Sequence, residues 1–392
     1  MTDAALASRR EAVPPLAIPR DIVFGALVDW GRMPYWRWRS LFRAAVAAGH
    51  RVLWVDHFSS WGSLRRLPRD PSLLRSRLVE ADHGIFHLAS PLRLRDARGP
   101  FAAPAAALAL RSTRDAIRRL RFESPLLWIS SPSAWRLIGR LGERTVVYDC
   151  VDDLTRFGGE GRIAAEERLL ISRVDLVVTC VGNVGDDKVA MGAPVTCIPN
   201  GVDAEHFRAA LAPAPAVPAL RSLPRPIIGY SGVIYDRVDW ALVELACRAE
   251  PLWSFVFIGR VETPPPTRVA ALPNLHVLGE VPFEALPAYY AGMDACWVPH
   301  KVNELTRRQS SLKTYEYLAA GLPAVSTDLP LPADVRAQVR VGRTPAEVVD
   351  ALREAVAGDT EAGRQARLAV AAHNSWRARF ELFSARLAEV RA

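Results

Sequence analysis

Short apolar runs bounded by turn residues alternate with longer stretches in which apolar positions recur every three to four residues, a pattern that layers strands against helices. The run "DIVFGALV" (21–28) predicts a first strand, "RWRSLFRAAVAAGH" an amphipathic helix ending at Gly49, and "RVLWVD" (51–56) the next strand. Further strands are expected at 84–88, 126–130, 145–149, 175–180 and 195–198. The pattern then breaks. "RAALAPAPAVPALRSLPRP" (208–226) is rich in Ala and Pro, has no periodic apolar face, and reads as a semi-rigid linker. Beyond it the alternation restarts, with strands at 227–232, 255–259, 275–279, 295–299 and 323–327 and helices near 239–249 and 284–292. The closing segments "AEVVDALREAVA" and "RQARLAVAAHNSWRARFELFSARLAEV" are helical by period. The expected organisation is a disordered lead-in (1–19), a first domain (20–207), the linker (208–226) and a second domain (227–372), with 373–392 as a final helix. Each domain is an α/β unit with a parallel sheet, and ligands in such folds bind beyond the carboxyl ends of the strands.

Composition narrows the class. With 392 residues, half of them hydrophobic, the chain can build two cores. No apolar run approaches the roughly 20 residues of a membrane helix, and the N-terminal stretch lacks the apolar centre of a signal peptide. The cysteines (150, 180, 197, 247 and 296) are odd in number, include no CxxC pair and adjoin apolar runs, so they read as buried thiols in a reducing cytoplasm.

The net charge of +8 is unevenly placed. Residues 1–200 hold 29 Lys and Arg against 21 Asp and Glu, whereas residues 201–392 hold 21 of each. A basic first half can serve nucleic acid, anionic lipid or a phosphorylated substrate.

Three stretches carry candidate chemistry. In "SSLKTYEYLAAGLPAVST" (310–327), Ser310 or Ser311 is a good N-cap, and Gly321 followed by Pro323 a good helix stop. A lysine in the first turn opposes the helix dipole, so Lys313 is misplaced unless an anion sits there. A phosphate would accept hydrogen bonds from the serine hydroxyls, the open backbone N–H groups and the ammonium together. Glu316 follows on the same face, suited to a sugar's vicinal hydroxyls; the bland reading is an exposed Lys–Glu pair. In "CIPNGVDAEHF" (197–207), Asn200-Gly201 marks a tight turn closing the first domain. In "VVYDCVDDLTRF" (146–157), Asp149, Asp152 and Asp153 cluster directly after a hydrophobic strand, where they could supply a base or cap the next element.

Two more features have bland readings beside the functional ones. His83 and His87 are four apart, but Gly84 and the β-type run between them argue against a helical metal pair. "WGRMPYWRWRSLF" (30–42) interleaves tryptophans with arginines, fitting either an acceptor loop, a membrane-surface patch or an ordinary amphipathic helix.

The order of "PNGVDxxxF", "IIGYSGVIYDRVDW", "LGEVPFEALPAYYAGMDACWVP" and "KTYEYLAAGLPAVST" resembles nucleotide-sugar glycosyltransferases of the GT-B fold. The likeness is to bacterial family-4-type enzymes of the teichuronic acid kind, and the Ser-Ser-x-Lys element is similar to the xanthan-assembly glucuronosyltransferase. It is good over about 140–330 and looser before. It implies two Rossmann-like domains facing across a cleft, with the last helix crossing back to the first domain. It also implies that Ser310, Ser311 and Lys313 hold the donor's diphosphate and that Glu316 takes the ribose. The loop at Gly279-Glu280-Val281 would lie along the base through its backbone. Gly232 would allow close approach of backbone to phosphate, and Arg237 would add a cation. Asp152 or Asp153 would be the catalytic residue. One position departs: where many relatives have a second glutamate facing the transferred sugar, this chain has Arg308.

The expectation is therefore a hexosyltransferase that moves a sugar from a nucleoside-diphosphate donor to a hydroxyl acceptor such as a lipid-linked glycan, in polysaccharide or glycolipid assembly. It would need no metal or other cofactor, since a lysine and a helix terminus meet the phosphate charge. It would be cytoplasmic, with its basic half at the anionic inner face of the membrane. A nucleotide-sugar 2-epimerase on the same fold is the rival enzyme reading. An anionic-surface or nucleic-acid binding protein is the rival class, disfavoured because no helix-turn-helix, RNP-like or zinc element is present.

Overall fold

The computed structural model describes residues 18–26, 30, 37–56, 76–89, 102–151, 160–212 and 217–391. Two sheets organise them. The first has eight strands: β1 (Asp21–Ala26), β2 (Arg51–Asp56), β3 (Arg77–Asp82), β4 (Ile85–Ala89), β5 (Leu126–Ile129), β6 (Thr145–Cys150), β7 (Leu176–Thr179) and β8 (Val195–Cys197). Their order is β3-β4-β2-β1-β5-β6-β7-β8, parallel except for β3 against β4. Every residue of β5, β6 and β7 is buried, which is why these strands read as continuous apolar runs: helices cover both faces of the sheet. The apolar pattern missed β3. "RLVEAD" is a charged, half-exposed edge strand that turns into β4 at Gly84.

The second sheet is wholly parallel, in the order β11-β10-β9-β12-β13-β14. Its strands are β9 (Ile227–Ser231), β10 (Ser254–Ile258), β11 (Leu275–Gly279), β12 (Ala295–Val298), β13 (Ala324–Thr327) and β14 (Val339–Gly342). In both sheets the strand order reverses near the middle, at β1/β5 and at β9/β12. The crevice of a doubly wound sheet opens at that reversal.

Among the described residues the helices of eight or more residues are α1 (Arg37–Ala47), α2 (Ala102–Leu120), α3 (Glu160–Ile171), α4 (Gly182–Ala190), α5 (Trp240–Ala249), α6 (Leu312–Ala319), α7 (Pro345–Ala357), α8 (Glu361–His373) and α9 (Trp376–Arg391). The last of them returns to the first domain. Trp376, Phe380, Phe383 and Leu387, spaced along one face of α9, are buried with Phe24, Trp38 and Trp128. The Phe383 and Trp128 ring centroids are 4.1 Å apart.

The supposed linker is partly built into the second domain. Residues 209–211 and 218–221 form single helical turns whose Ala210 and Leu220 are buried in that domain's core. Leu220 packs where Gly292 leaves room for it. An apolar pair separated by proline gave no periodic signal, so the packing was invisible in the pattern. Four cysteines are buried as expected, but Cys197 at the end of edge strand β8 is exposed; none of the five forms a disulfide. No described helix is long and apolar enough to cross a membrane.

Candidate functional site: the cleft between the domains

The stretch from 306 to 319 is held from both ends. A turn at Thr306–Arg308 is tied down by Thr306, whose Oγ1 donates to the Lys301 carbonyl at 2.7 Å and accepts from Asn303 N at 2.9 Å. Helix α6 follows because Tyr315, Leu318 and Ala319 give it a buried face against β12 and β13. Its N-cap residue is Ser311, yet that hydroxyl makes no capping bond. Ser311 Oγ is buried without a partner. A serine that could satisfy a backbone N–H but does not is available to an incoming acceptor.

Lys313 extends from the first turn of α6 over the loop after β9. A Cβ on Gly232 would sit 2.3 Å from Lys313 Cε and 2.7 Å from its Nζ, so any larger residue would displace the lysine's end. The Gly232 φ of +130° favours glycine as well. Gly259 in turn presses on the Gly232 carbonyl, so the ends of β9 and β10 meet backbone to backbone. The ammonium lies 5.5 Å from the Tyr230 ring centroid. Burial pulls the Lys313 pKa down; Glu316 partly offsets this and Arg237 adds to it. Glu316 shows the converse. Burial raises its carboxyl, against the opposing influence of Lys313 and of the Tyr290 hydroxyl, which donates to Glu316 Oε2 at 3.2 Å. Tyr290 also meets Ser231 Oγ at 2.5 Å, and Ser231 N donates to Tyr317 Oη at 3.1 Å, so the carboxylate's surroundings are braced.

Arg237 lies along the Tyr235 ring, 4.7 Å from its centroid, with a buried Nε that has no partner. His300 is held by the Tyr230 hydroxyl at 3.1 Å, and that hydroxyl donates to the Val233 carbonyl at 3.0 Å. Burial, then Lys313 and Arg237, push the His300 pKa well below its ordinary value, so the ring is neutral. With the tyrosine proton committed to Val233, His300 donates from Nε2.

These groups border a cavity of about 320 Å³ whose walls come from both domains. Ser310, Ser311, Lys313 and Arg237 line it from the second domain, and Arg37 and Asn200 from the first. Glu316 and Gly232 stand immediately behind Lys313. Val281 does not belong to this cavity; beyond the turn at Gly279 it packs on the second domain's core. Asp152 and Asp153 lie outside the described residues. Their neighbour Asp149 is fully buried, and its Oδ2 receives Trp38 Nε1 at 2.8 Å, Trp128 Nε1 at 3.2 Å and Arg37 Nε at 3.5 Å. A carboxylate so engaged is an anchor for α1 and β5. Arg308 pairs with Asp187 on α4.

The histidine pair has a structural explanation. His87 Nε2 is 2.6 Å from Asp56 Oδ2 and stacks on Trp30, while His83 sits in the β3–β4 turn. Among the described residues no three His, Cys, Asp or Glu side chains gather as a metal site. In the Trp-Arg stretch, Trp38, Leu41 and Phe42 face the core, so α1 presents no aromatic face to a membrane; Trp36 lies outside the described residues. Sequence reasoning missed Arg37, His300 and Tyr290, and took Asn200 for a turn residue alone. Only Asn200 had a visible signal, a polar side chain preceding the glycine of a tight turn.

The C-terminal domain now has relatives to set beside it. Residues 225–358 match the family "Glycosyl transferases group 1". The group 1 segment contains β9 to β14 and every second-domain residue of the cavity. The "Putative teichuronic acid biosynthesis glycosyltransferase TuaH" of Bacillus subtilis (strain 168) is 28% identical over 223 residues, which cover 52% of this chain and 55% of that one. The match thus spans about half the length of that relative. Solved structures share the whole architecture. Sucrose-phosphate synthase of Thermosynechococcus elongatus superposes with a TM-score of 0.65 at 15% identity, covering 93% of this chain and 97% of that one. A UDP-forming trehalose-phosphate synthase of Burkholderia xenovorans gives 0.67 at 14%, covering 96% and 100%. At such identities the likeness establishes the fold, which is GT-B.

Proposed function

We propose that the protein is a hexosyltransferase that moves a sugar from a nucleoside-diphosphate donor to a hydroxyl acceptor in the assembly of a cell-surface polysaccharide or glycolipid. One observation carries this reading. Ser311 Oγ, Arg237 Nε and the Lys313 ammonium surround one cavity at the start of α6, and the first two lack partners. An anion with several oxygens satisfies all three at once. Ser310, Ser311 and Lys313 would hold the diphosphate and Glu316 the ribose hydroxyls; the base would extend beyond the cavity along the backbone after Gly279, whose Val281 side chain is turned to the core. Gly232 would let the backbone approach the phosphates. With this cationic set the reading includes no metal ion.

In the transfer, the acceptor oxygen forms a bond to the anomeric carbon, the bond to the diphosphate oxygen breaks, and the diphosphate leaves with the electron pair. Asp152 or Asp153 would take the acceptor proton, on the strength of their place directly after β6. Lys313 and Arg237 would stabilise charge gathering on the leaving diphosphate.

The acceptor would be a lipid-linked glycan met at the cytoplasmic face of the membrane. A groove of about 1020 Å³ between α2 and residues 135–142 supports that placement. Leu110, Ile117 and Leu141 line it with Arg111, Arg114, Arg118, Arg136 and Arg140, of which Arg118 pairs with Asp115 in the same lining and Arg136 with Glu166, so the edge of this apolar trough is cationic on balance.

A thermal-shift panel of UDP-, GDP- and TDP-sugars tests the reading, followed by calorimetry on Lys313→Ala with the best ligand. Stabilisation by one family of nucleotides, lost in the variant, is the expected result. Unchanged affinity in a folded Lys313→Ala protein would overturn the assignment.

A further inference from the structure

The first domain's wall of the cavity holds a guanidinium with one nitrogen unused. Arg37, the first residue of α1, is only 2% exposed. Its Nη1 donates to the Pro199 carbonyl and to Asn200 Oδ1, each at 3.2 Å, and its Nε faces Asp149. Its Nη2 is buried without a partner. Asn200 is 4% exposed and spans the domain boundary: its Nδ2 donates to the Ser310 carbonyl at 3.1 Å. Arg379 on α9 fixes its backbone, donating from Nε to the Asn200 carbonyl at 3.0 Å. A continuous path of hydrogen bonds therefore runs from Arg37 through Asn200 to the residue before the α6 cap.

An unpaired N–H on a buried guanidinium is costly, and native proteins rarely leave one without a use. Here buried polar atoms without partners occur on three residues that line one cavity: Arg37 Nη2 from the first domain, and the Ser311 hydroxyl and Arg237 Nε from the second; Oδ1 of Asp149, the carboxylate that Arg37 Nε faces, is unpaired too. A sugar hydroxyl answers one of them. A diphosphate, with acceptor oxygens on several sides, answers all three.

We infer that the donor's diphosphate is clasped from both domains. Arg37 contacts it from the first domain, and Asn200 is the positioning residue that holds the Ser310–Lys313 turn in register with Arg37. This rests on reading the cavity as the donor site and goes beyond it, because that reading drew its ligands from the second domain alone. The nucleoside portion does not feel Arg37; the diphosphate does.

Calorimetry on the full chain, with UDP and GDP and with uridine and guanosine, tests the clasp. Arg37→Lys keeps a cation beside Asp149 but loses the planar fork. Asn200→Ser leaves Arg37 intact and cuts the link to Ser310. Thermal unfolding establishes that each variant folds. Arg37→Lys should weaken the better diphosphate about tenfold or more while leaving its nucleoside unchanged. Asn200→Ser should weaken it less, and the two losses should not add.

Folded variants that bind the diphosphate as the parent does would overturn the clasp. So would an equal loss for nucleoside and diphosphate, or an intact diphosphate affinity with a raised KM for acceptor, which would place Arg37 on the acceptor. Lys313→Ala separates the two levels. If it loses binding and Arg37→Lys does not, only the clasp fails; if Lys313→Ala also keeps full affinity, the donor-site reading fails with it.

Discussion

Arg308, on the turn before α6, and Asp187, on α4 of the first domain, form an ion pair across the domain boundary. Beside it Asn183 Nδ2 donates to the Arg307 carbonyl at 2.9 Å. The position where a glutamate is expected to face the transferred sugar thus serves to join the domains. Asp187 is half exposed, so the pair contributes about 0–1 kcal/mol. Arg308→Glu should weaken donor binding by a few-fold, and the swap with Asp187→Arg should recover most of it. A double-mutant cycle in affinity measures the recovery; additive losses would mean that the two residues act separately.

Lys313 and Glu316 both have their charged forms disfavoured by burial. Glu316 carries its penalty above its raised pKa and Lys313 carries its own below its lowered one, so the two penalties coincide near neutral pH. Replacing both by neutral shapes, Lys313→Met with Glu316→Gln, should raise Tm at neutral pH while abolishing donor binding. The gain should shrink as pH falls through the Glu316 value and as it rises through the Lys313 value. Thermal melts across pH read both limbs.

Lys313 also ties binding to protons. Burial lowers its pKa in the unliganded protein, and a phosphate beside it favours the charged form. Affinity for the diphosphate should therefore decline as pH rises through the lowered value, with net proton uptake on binding. Titrations in two buffers of different ionisation heat give the number of protons directly.

Gly232→Ala is a steric test. The added methyl group would lie 2.3 Å from Lys313 Cε at a backbone angle that alanine resists. Diphosphate affinity should drop at least tenfold, by about 1.4 kcal/mol or more, because the ammonium must leave its seat. Calorimetry on the folded variant checks it.

The α2 groove predicts a lipid dependence. Sedimentation with phosphatidylglycerol vesicles should carry the protein down, and phosphatidylcholine vesicles should not. Arg114→Glu with Arg118→Glu should abolish that, whereas Arg377→Glu on α9, an exposed site outside the groove's lining, should not. Equal binding by all three proteins would remove the groove from the account.

Much of the frame was legible because both sheets are covered on two sides, which forces apolar strands such as "LLWI" and "TVVYDC" to stand out. The edge strand "RLVEAD" escaped for the opposite reason. Lys313 was legible because its local setting was wrong for a helix start, and such conflicts mark sites. Arg37 was not. It is one of many arginines, and its distinction lies in contacts with residues 112, 162 and 163 positions away. Tyr290 was hidden likewise, since its hydroxyl meets Glu316, 26 positions on, only once β12 and α6 are in place.

The anchoring of Asp149 has an optical consequence. Trp38 and Trp128 both donate their indole N–H to the same carboxylate oxygen, and Trp38 also lines the cavity. An indole held against a buried negative charge has an emission sensitive to any change in that geometry. Filling the cleft should therefore shift part of the protein's own tryptophan emission, and replacing Trp38 should remove that part from the signal of the 11 tryptophans.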